Sequence, residues 1–351
     1  MRIFHRLHKS TLFWPFVVLV SLLVMNGLIT RGFFDISWKD GKFSGLLIDI
    51  LNRSTYISII ALGLTLVIST GGIDISVGSI VAISGAVAAY LIGGELIIKD
   101  NQQTLVTHTP MGVAILAALL VSTLLGMWNG FLIAWLRIQP IVATLILMVS
   151  GRGIAQLITN GQIITIYYKP YYFIGNGTLF GIPFSLYVMT AVFILVYLAT
   201  RKTALGLFLE SIGINRVASR YAGIQEQRII FWSYAFCAFC AGVSGLLVSS
   251  NVKCADGNNA GDLFELDAIL AVVIGGTSLS GGKFNLVGTV LGALIIQTMT
   301  TTIYSIGVPP QINLVIKATV VFVLSILQSE NFRGLFRFVE KKGSRLEKSY
   351  E

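Results

Sequence analysis

Apolar runs of about 20 residues, the length that crosses a bilayer as an α-helix, recur along the whole chain. Of its 351 residues, 55% are hydrophobic and 12% are charged, whereas soluble domains carry about 25% charged residues. The pattern predicts an all-α polytopic membrane protein in contact with membrane lipid. The formal charge of +9 does not indicate a nucleic-acid partner, because the basic residues lie in loops and termini between the apolar runs.

We predict about ten transmembrane helices in a single transmembrane domain over residues 11–328. This domain lies between a basic N-terminus at residues 1–10 and a basic tail at residues 329–351. If both termini are cytoplasmic, most of the 25 lysines and arginines lie on the cytoplasmic side, in agreement with the positive-inside rule. A cleaved signal peptide is the alternative for the first run, but no small-residue cleavage site follows it. The predicted helices cover approximately residues 11–30, 55–70, 80–97, 111–136, 141–159, 184–200, 229–250, 265–275, 285–306 and 311–328.

The longest polar and charged run in the middle of the chain covers residues 201–228, which we call the basic loop. Gly213 breaks a first helical run there, and Asn215 stands at the N-cap position of a second short helix over residues 216–221. Gly223 can end that helix in a left-handed conformation. Such an element is suited to pushing against a soluble partner, and an ordinary connecting loop is the alternative.

Two stretches rich in glycine and serine interrupt the apolar runs, GGIDISVGS at residues 71–79 and GGTSLSGG at residues 275–282. Transporters place such helix breaks near their transport path. The alternative is a pair of tight turns between helices at the cytoplasmic surface, and the likeness of the two stretches hints at an internal duplication. The glycines concerned are Gly71, Gly72, Gly78, Gly275, Gly276, Gly281 and Gly282.

Four segments, in the expected order, resemble motifs of the permease subunits of bacterial ABC sugar importers, the ribose/xylose/galactose group. They are the two glycine-rich stretches, the run IQPIVATL at residues 138–145, and GLFLESIGINRVASRYAGI in the basic loop. In that family the last segment is the coupling loop that docks on the ATPase. The matching positions are Glu210, Gly213, Asn215, Ala218, Gly223 and Ile224, while Ser211 and Ser219 stand where alanine is usual.

The resemblance covers nearly the whole chain and implies a vitamin-B12-importer-like arrangement in which two permease subunits enclose a central path. It further implies a periplasmic binding protein that delivers a monosaccharide, and a bacterial inner-membrane location. Segments such as ATRKTALGLF resemble permeases of galactofuranose importers within the family, where the second permease is a different chain. The resemblance therefore implies a heterodimer.

Nucleotide binding belongs to a separate ATPase subunit, which would hold ATP and Mg, and this chain needs no cofactor of its own. The stretch around Lys283 misses the phosphate-binding loop pattern, because Thr277 occupies its first glycine position and Phe284 follows the lysine. A secondary transporter or channel that works without an ATPase remains an alternative. A membrane enzyme is disfavoured, since no nucleophile, acid–base pair or metal-ligand cluster stands out in the sequence. Cys237 and Cys240 on an apolar run favour packing over redox chemistry.

Polar side chains on or beside the predicted spans are candidates for the translocation path. A charged residue inside a span is costly and usually faces the bundle interior or water, while a neutral sugar needs hydrogen-bonding groups. Asp74 has the alternative role of capping the helix that follows it, Arg152 could pair with an acid, and Lys317 could reach the membrane surface. The candidates are Asp74, Asn129, Gln139, Thr144, Arg152, Gln297 and Lys317.

Overall fold

The computed structural model describes residues 12–39, 41–99, 102–107 and 109–307, together with five single positions, 312, 315, 318, 319 and 322. The contacts divide the chain into one unit up to Thr298 and a second that begins at Met299. The predicted N-terminal segment 1–10, Lys317 and the tail 329–351 lie outside the described residues, as does most of the tenth helix. The single domain over residues 11–328 therefore stays a prediction.

The described part of the chain is mostly helical, in agreement with the predicted class. Short antiparallel strand pairs occupy several of the connections. The helices are α1 Phe13–Ile29, α2 Leu46–Ser69, α3 Val77–Ile92, α4 Met111–Ala134, α5 Pro140–Ile158, α6 Phe173–Asn176, α7 Phe184–Lys202, α8 Leu205–Ile214, α9 Arg216–Tyr221, α10 Glu226–Val252, α11 Phe264–Ile274 and α12 Leu286–Ser305. The strands are β1 Ser37–Lys39, β2 Lys42–Ser44, β3 Gly93–Lys99, β4 Gln102–Thr107, β5 Ile163–Thr165, β6 Thr178–Leu179, β7 Ile182–Pro183 and β8 Cys254–Asp256, and a 3₁₀ helix covers Lys169–Tyr172. Strand β1 pairs with β2, β3 with β4, β5 with β8 and β6 with β7.

Six of these helices, α2, α4, α5, α7, α10 and α12, are long and apolar enough to cross a membrane. Helices α1 and α3 are apolar but shorter, and α11 has only 11 residues. Since a straight helical crossing needs about 20 residues, the helix at 265–275 that the sequence predicts is present but too short to span alone.

Two predicted boundaries are wrong for local reasons. Helix α2 begins at Leu46 rather than near residue 55, because the charged residues Asp49 and Arg53 lie within its first turns instead of in a loop. Helix α3 ends at Ile92 rather than at residue 97, because Gly93 adopts a positive φ of 58° and the chain continues as the β3–β4 hairpin.

Helix α10 packs against α2, α3 and α4, and small residues let the backbones approach closely. A Cβ at Gly63 of α2 would lie only 2.9 Å from the Cα of Cys237. Cys237 and Cys240 are both fully buried along this contact, which agrees with the packing role predicted for them. Close helix contacts of this kind hold α10 as the centre of the bundle.

A non-helical segment at residues 257–261 enters the bundle between α3 and α5. It follows β8, which pairs with β5, and it leads into α11. Gly257 lies against the backbone of Ala155 in α5, and Gly261 lies against Gly78 and Val81 in α3. Non-helical backbone is tolerated at membrane depth only where protein or a cavity surrounds it. The segment and α11 thus form a discontinuous element that lines the interior of the bundle.

Candidate functional site

The basic loop folds as two short helices with α9 capped at both ends. The Oδ1 atom of Asn215 accepts a hydrogen bond from the amide of Ala218 at 2.9 Å, which is the N-cap interaction the sequence predicts. At the other end Gly223 adopts φ +85°, and the amide of Ile224 donates to the carbonyl of Ser219 at 3.0 Å. This is the Schellman arrangement, so the predicted helix and both of its caps are confirmed.

The sequence predicted that Gly213 breaks the first helix of the loop, and this prediction is wrong. Helix α8 continues through it to Ile214 and contains Glu210 and Ser211. A Cβ at Gly213 would overlap the carbonyl oxygen of Ser69 and the amide nitrogen of Gly282. The absence of a side chain at Gly213 therefore serves close packing between segments distant in sequence.

Both glycine-rich stretches meet Gly213 at one place, which we call the glycine junction. The amide of Gly282 donates a 2.9 Å hydrogen bond to the carbonyl of Ser69, the last residue of α2. A Cβ at Gly281 would lie 2.9 Å from the amide nitrogen of Gly71 and 3.0 Å from the Cα of Gly213. The stretches are turns between helices, and the junction ties those turns to α8.

The other glycines of the two stretches also mark close contacts. A Cβ added at Gly72 would overlap the hydroxyl of Tyr234, and a Cβ added at Gly78 would overlap the carboxylate of Glu265. Gly275, at the end of α11, lies against Gly288 of α12, and Gly276 follows it with φ +88°. Each stretch therefore packs tightly on helices outside its own turn.

Helices α8 and α9 of the basic loop carry exposed apolar side chains. Val217 is 65% exposed and Tyr221 is 89% exposed, and one helical turn separates them on a shared face. Ile214 and Leu207 of α8 are also largely exposed. Large apolar side chains exposed in a loop of polar composition are typical of a protein interaction site.

The base of α9 is tied to α10 by an ion pair. Arg216 Nε lies 3.9 Å from Glu226 Oε1, and Glu226 is buried as the first residue of α10. Burial lowers the pKa of Arg216 from its usual value, Glu226 acts in the opposite direction, and the nearby cation Arg137 lowers it further. The ion pair therefore joins the first turn of α9 to the first turn of α10.

Three of the predicted path residues come together at the segment between α2 and α3. The amide and the hydroxyl of Ser76 both donate to Asp74 Oδ1, at 2.9 and 2.6 Å, and Asn129 Nδ2 donates to Ser76 Oγ at 3.0 Å. Thr144 Oγ1 donates to the carbonyl of Pro140 in its own helix at 2.9 Å and lies 3.5 Å from the carbonyl oxygen of Ile73. Asp74, Ser76, Asn129 and Thr144 are all fully buried and come from the turn before α3 and from the two helices α4 and α5. We call them the polar cluster.

Asp74 is not itself the N-cap of α3, because Ser76 occupies that position. The aspartate instead closes the turn before the helix by accepting from Ser76. Asp74 therefore does not cap α3 itself but holds the N-cap residue Ser76 in place.

The remaining path candidates occupy other positions. Gln139 is exposed just before α5. Arg152 is half-buried in α5, and its Nη1 donates to the carbonyl of Ala260 in the non-helical segment at 2.6 Å. Gln297 is buried in α12, and Lys317 lies outside the described residues.

Two residues that the sequence did not single out contribute to the site. The hydroxyl of Tyr234 in α10 donates to the carbonyl of Ile73 at 3.4 Å and so links α10 to the polar cluster. Glu265, in the first turn of α11, is buried with its Oε2 atom against Gly78 of α3. A tyrosine in an apolar span and an acid at the start of a short helix were the signals that could have indicated them.

Comparison with known proteins agrees with the architecture. The profile of the family described as branched-chain amino acid transport system / permease component matches residues 46–325. The chain is 44% identical over 334 residues to the galactofuranose transporter permease protein YtfT of Escherichia coli (strain K12), covering 94% of each chain. It is 38% identical to the fructose import permease protein FruF of Bifidobacterium longum (strain NCC 2705), covering 96% of this chain and 93% of the relative.

A third relative is the ribose import permease protein RbsC of Haemophilus influenzae, 33% identical over 91% of this chain and 93% of the relative. No solved structure matches the chain. A family match over most of the chain and relatives that align along nearly its full length show that the protein belongs to the sugar permease family of ABC importers.

Proposed function

We propose that this chain is the membrane-spanning permease subunit of an ATP-driven importer that carries a monosaccharide, with galactofuranose as the first candidate, from a periplasmic binding protein into the cytoplasm. The name of the 44% identical relative supports galactofuranose, while the fructose and ribose relatives define the next sugars to test. The chemistry of ATP hydrolysis resides on a separate ATPase subunit that holds ATP and Mg.

The proposed assembly has two permease subunits around a central path, and the second is a different chain, so that the pair is a heterodimer. Each permease has ten membrane helices in a vitamin-B12-importer-like arrangement. The chain lies in the bacterial inner membrane with both termini in the cytoplasm. Family membership and the six helices long enough to span support this arrangement.

The observation that carries the proposal is the exposed apolar face of the capped helix α9. Val217 and Tyr221 project from a loop that is otherwise charged, and capping at both ends holds their helix in one conformation. Exposed apolar side chains are unfavourable unless a partner covers them. The natural partner is a groove on the ATPase, whose movement on ATP binding would then act on α9.

The polar cluster is the proposed constriction of the path. Its side chains are fully buried between helices that are otherwise apolar. Burying polar groups is costly unless they are hydrogen-bonded, and polar residues inside a membrane bundle commonly mark a substrate path. The glycine junction and the Arg216–Glu226 pair connect the basic loop to the two elements that flank the cluster. Movement of the loop could thereby open and close the constriction.

The test is sugar uptake into proteoliposomes that contain this chain with its ATPase and second permease, with loaded binding protein outside. The double variant Val217→Ser, Tyr221→Ser removes the apolar face without touching a buried contact. The matched control is Tyr167→Ser, an exposed tyrosine between β5 and the 3₁₀ helix. Galactofuranose, fructose and ribose are offered separately.

We expect uptake to require ATP, to fall at least tenfold in the double variant and to stay normal in the control, with the ATPase subunit lost from the purified double variant. The sugar that accumulates identifies the substrate. Uptake that proceeds without ATP would instead establish a secondary transporter or channel, and normal uptake by the double variant would remove α9 as the coupling element.

A further inference from the structure

We propose that the first turn of α3 is the sugar-binding point of the path and that it takes the hydroxyl groups of a neutral sugar through three acceptor oxygens, Asp74 Oδ2, Asn129 Oδ1 and Glu265 Oε2. This inference rests on the proposed function and names the residues that recognise its substrate. Glu265 is the member that the sequence analysis did not name among the path candidates.

The three oxygens share one property. Each is buried, and none accepts a hydrogen bond from any of the residues that the structure describes. Asp74 and Asn129 are 0% exposed and Glu265 is 4% exposed. Because buried acceptors are almost always paired in folded proteins, three unpaired acceptors around the first turn of α3 call for donors that the described chain does not supply.

The orientation of the Asn129 amide follows from its neighbours. Ser76 has a single hydroxyl hydrogen, and the 2.6 Å distance to Asp74 Oδ1 assigns that hydrogen to the carboxylate. Ser76 Oγ can then only accept from Asn129, so Nδ2 faces the serine at 3.0 Å. The acceptor Oδ1 of Asn129 is consequently the atom left without a partner.

The three residues approach the start of α3 from separate elements. Asp74 precedes the helix, and Ser76 joins it to Asn129 of α4. Glu265 comes from the first turn of α11, and its Oε2 lies against Gly78 in the first turn of α3. In transporters the substrate site commonly lies where a discontinuous helix begins inside the membrane, and α11 begins there after the non-helical segment.

The chemistry favours a neutral polyhydroxyl ligand. All three free atoms are acceptors, and each sugar hydroxyl can donate one hydrogen bond. A metal ion is a poorer fit, because the guanidinium of Arg152 already interacts electrostatically with Glu265 and is held on the same segment by the carbonyl of Ala260. The cluster is closed in this structure, so the sugar would enter it when the helices around α3 separate.

The test measures, for each variant, the rate of uptake of a sugar relative to that of analogues in which one hydroxyl is replaced by fluorine. Fluorine is of similar size to a hydroxyl but cannot donate a hydrogen bond. We call this ratio of rates the discrimination. The sugar is whichever of galactofuranose, fructose and ribose the wild-type importer takes up in proteoliposomes. Asp74→Asn, Glu265→Gln and Asn129→Leu are compared with wild type, using the same binding protein throughout. The preference of the binding protein then cancels in the ratio of variant to wild type.

The matched control is Asp256→Asn, the same acid-to-amide change where both carboxylate oxygens already accept hydrogen bonds from Asn258 and Asn259. Folding is checked by the ATPase activity that the loaded binding protein stimulates. For any variant that fails this check, the milder Glu265→Asp and Asn129→Asp changes move or replace an acceptor while keeping the polar character of the site.

We expect each site variant to lose about tenfold of the discrimination against at least one fluorinated analogue, as loss of a hydrogen bond to a buried acceptor predicts, while Asp256→Asn keeps it. Unchanged discrimination in all folded site variants would overturn the sugar site while leaving the importer intact. A wild-type importer that takes up none of the three sugars would overturn the proposed function itself.

Discussion

The amide of Gly282 donates a 2.9 Å hydrogen bond to the carbonyl of Ser69, and this bond joins the turn after α11 to the end of α2. Gly213 of α8 lies against both partners of the bond, with no room for a Cβ. Three segments that are far apart in sequence therefore meet with backbone on backbone, and the basic loop is part of that contact.

Replacing Gly213 by valine is expected to separate the three segments. Overpacking a close contact typically costs about 1–3 kcal/mol, and here the added atoms overlap main-chain atoms that cannot rotate away. We expect a lower thermal unfolding temperature and ATP hydrolysis that no longer responds to loaded binding protein. Gly153→Ala in α5, with open space around it, is the control and should leave both unchanged. Normal stimulation in Gly213→Val would show that the junction is not needed for coupling.

Removing the cap of α9 should loosen that helix alone. Asn215→Ala deletes the acceptor of the Ala218 amide, a loss of about 1 kcal/mol for a typical N-cap. We expect amide exchange at Ala218 to accelerate about fivefold, and Asn215→Asp to restore protection because aspartate also caps. Ser211→Ala removes a hydroxyl that donates to the Leu207 carbonyl within α8 and should leave exchange at Ala218 as it is. Equal exchange in all variants would contradict the cap.

Gly223 should resist substitution for a backbone reason. Its φ of +85° is unfavourable for residues with a Cβ, although nothing lies within 4 Å of the position where a Cβ would stand. Gly223→Ala is therefore expected to lower stability of the loop by about 1 kcal/mol through strain alone, and Gly223→Asn by less, since asparagine adopts this conformation more readily. Limited proteolysis of the loop measures the order glycine, asparagine, alanine. A different order would indicate contacts in the assembly at this position.

The hydroxyl of Tyr234 should matter more to transport than to stability. Tyr234→Phe keeps the ring and removes the donor to the Ile73 carbonyl, and a hydrogen bond of this kind contributes about 0.5–1.5 kcal/mol. Because the hydroxyl links α10 to the polar cluster, we expect fewer sugar molecules transported per ATP hydrolysed. Tyr187→Phe removes an equivalent hydroxyl bonded to the Leu179 carbonyl on an exposed strand and serves as the control. An unchanged ratio in Tyr234→Phe would assign the hydroxyl a packing role only.

Local signals in the sequence predicted much of this fold. Long apolar runs located the spans, since burial in lipid depends on the composition of about 20 consecutive residues. The caps of α9 at Asn215 and Gly223 were also predictable, because the groups they satisfy lie within a few residues along the chain. The early start of α2 and the end of α3 at Gly93 were missed, because charged residues in one helix and a glycine in the other carried ambiguous local preferences.

The sequence by itself determined that the chain is a helical membrane protein, where most helices lie, how α9 is capped, and which family its motifs resemble. Only the tertiary structure decided that Gly213 serves close packing, that Asp74, Asn129 and Thr144 share one cluster, and that Glu265 faces the same turn of α3. Helix and cap signals act between near neighbours in the chain, whereas these contacts depend on which helices pack together and at what distance, which no local stretch of sequence encodes.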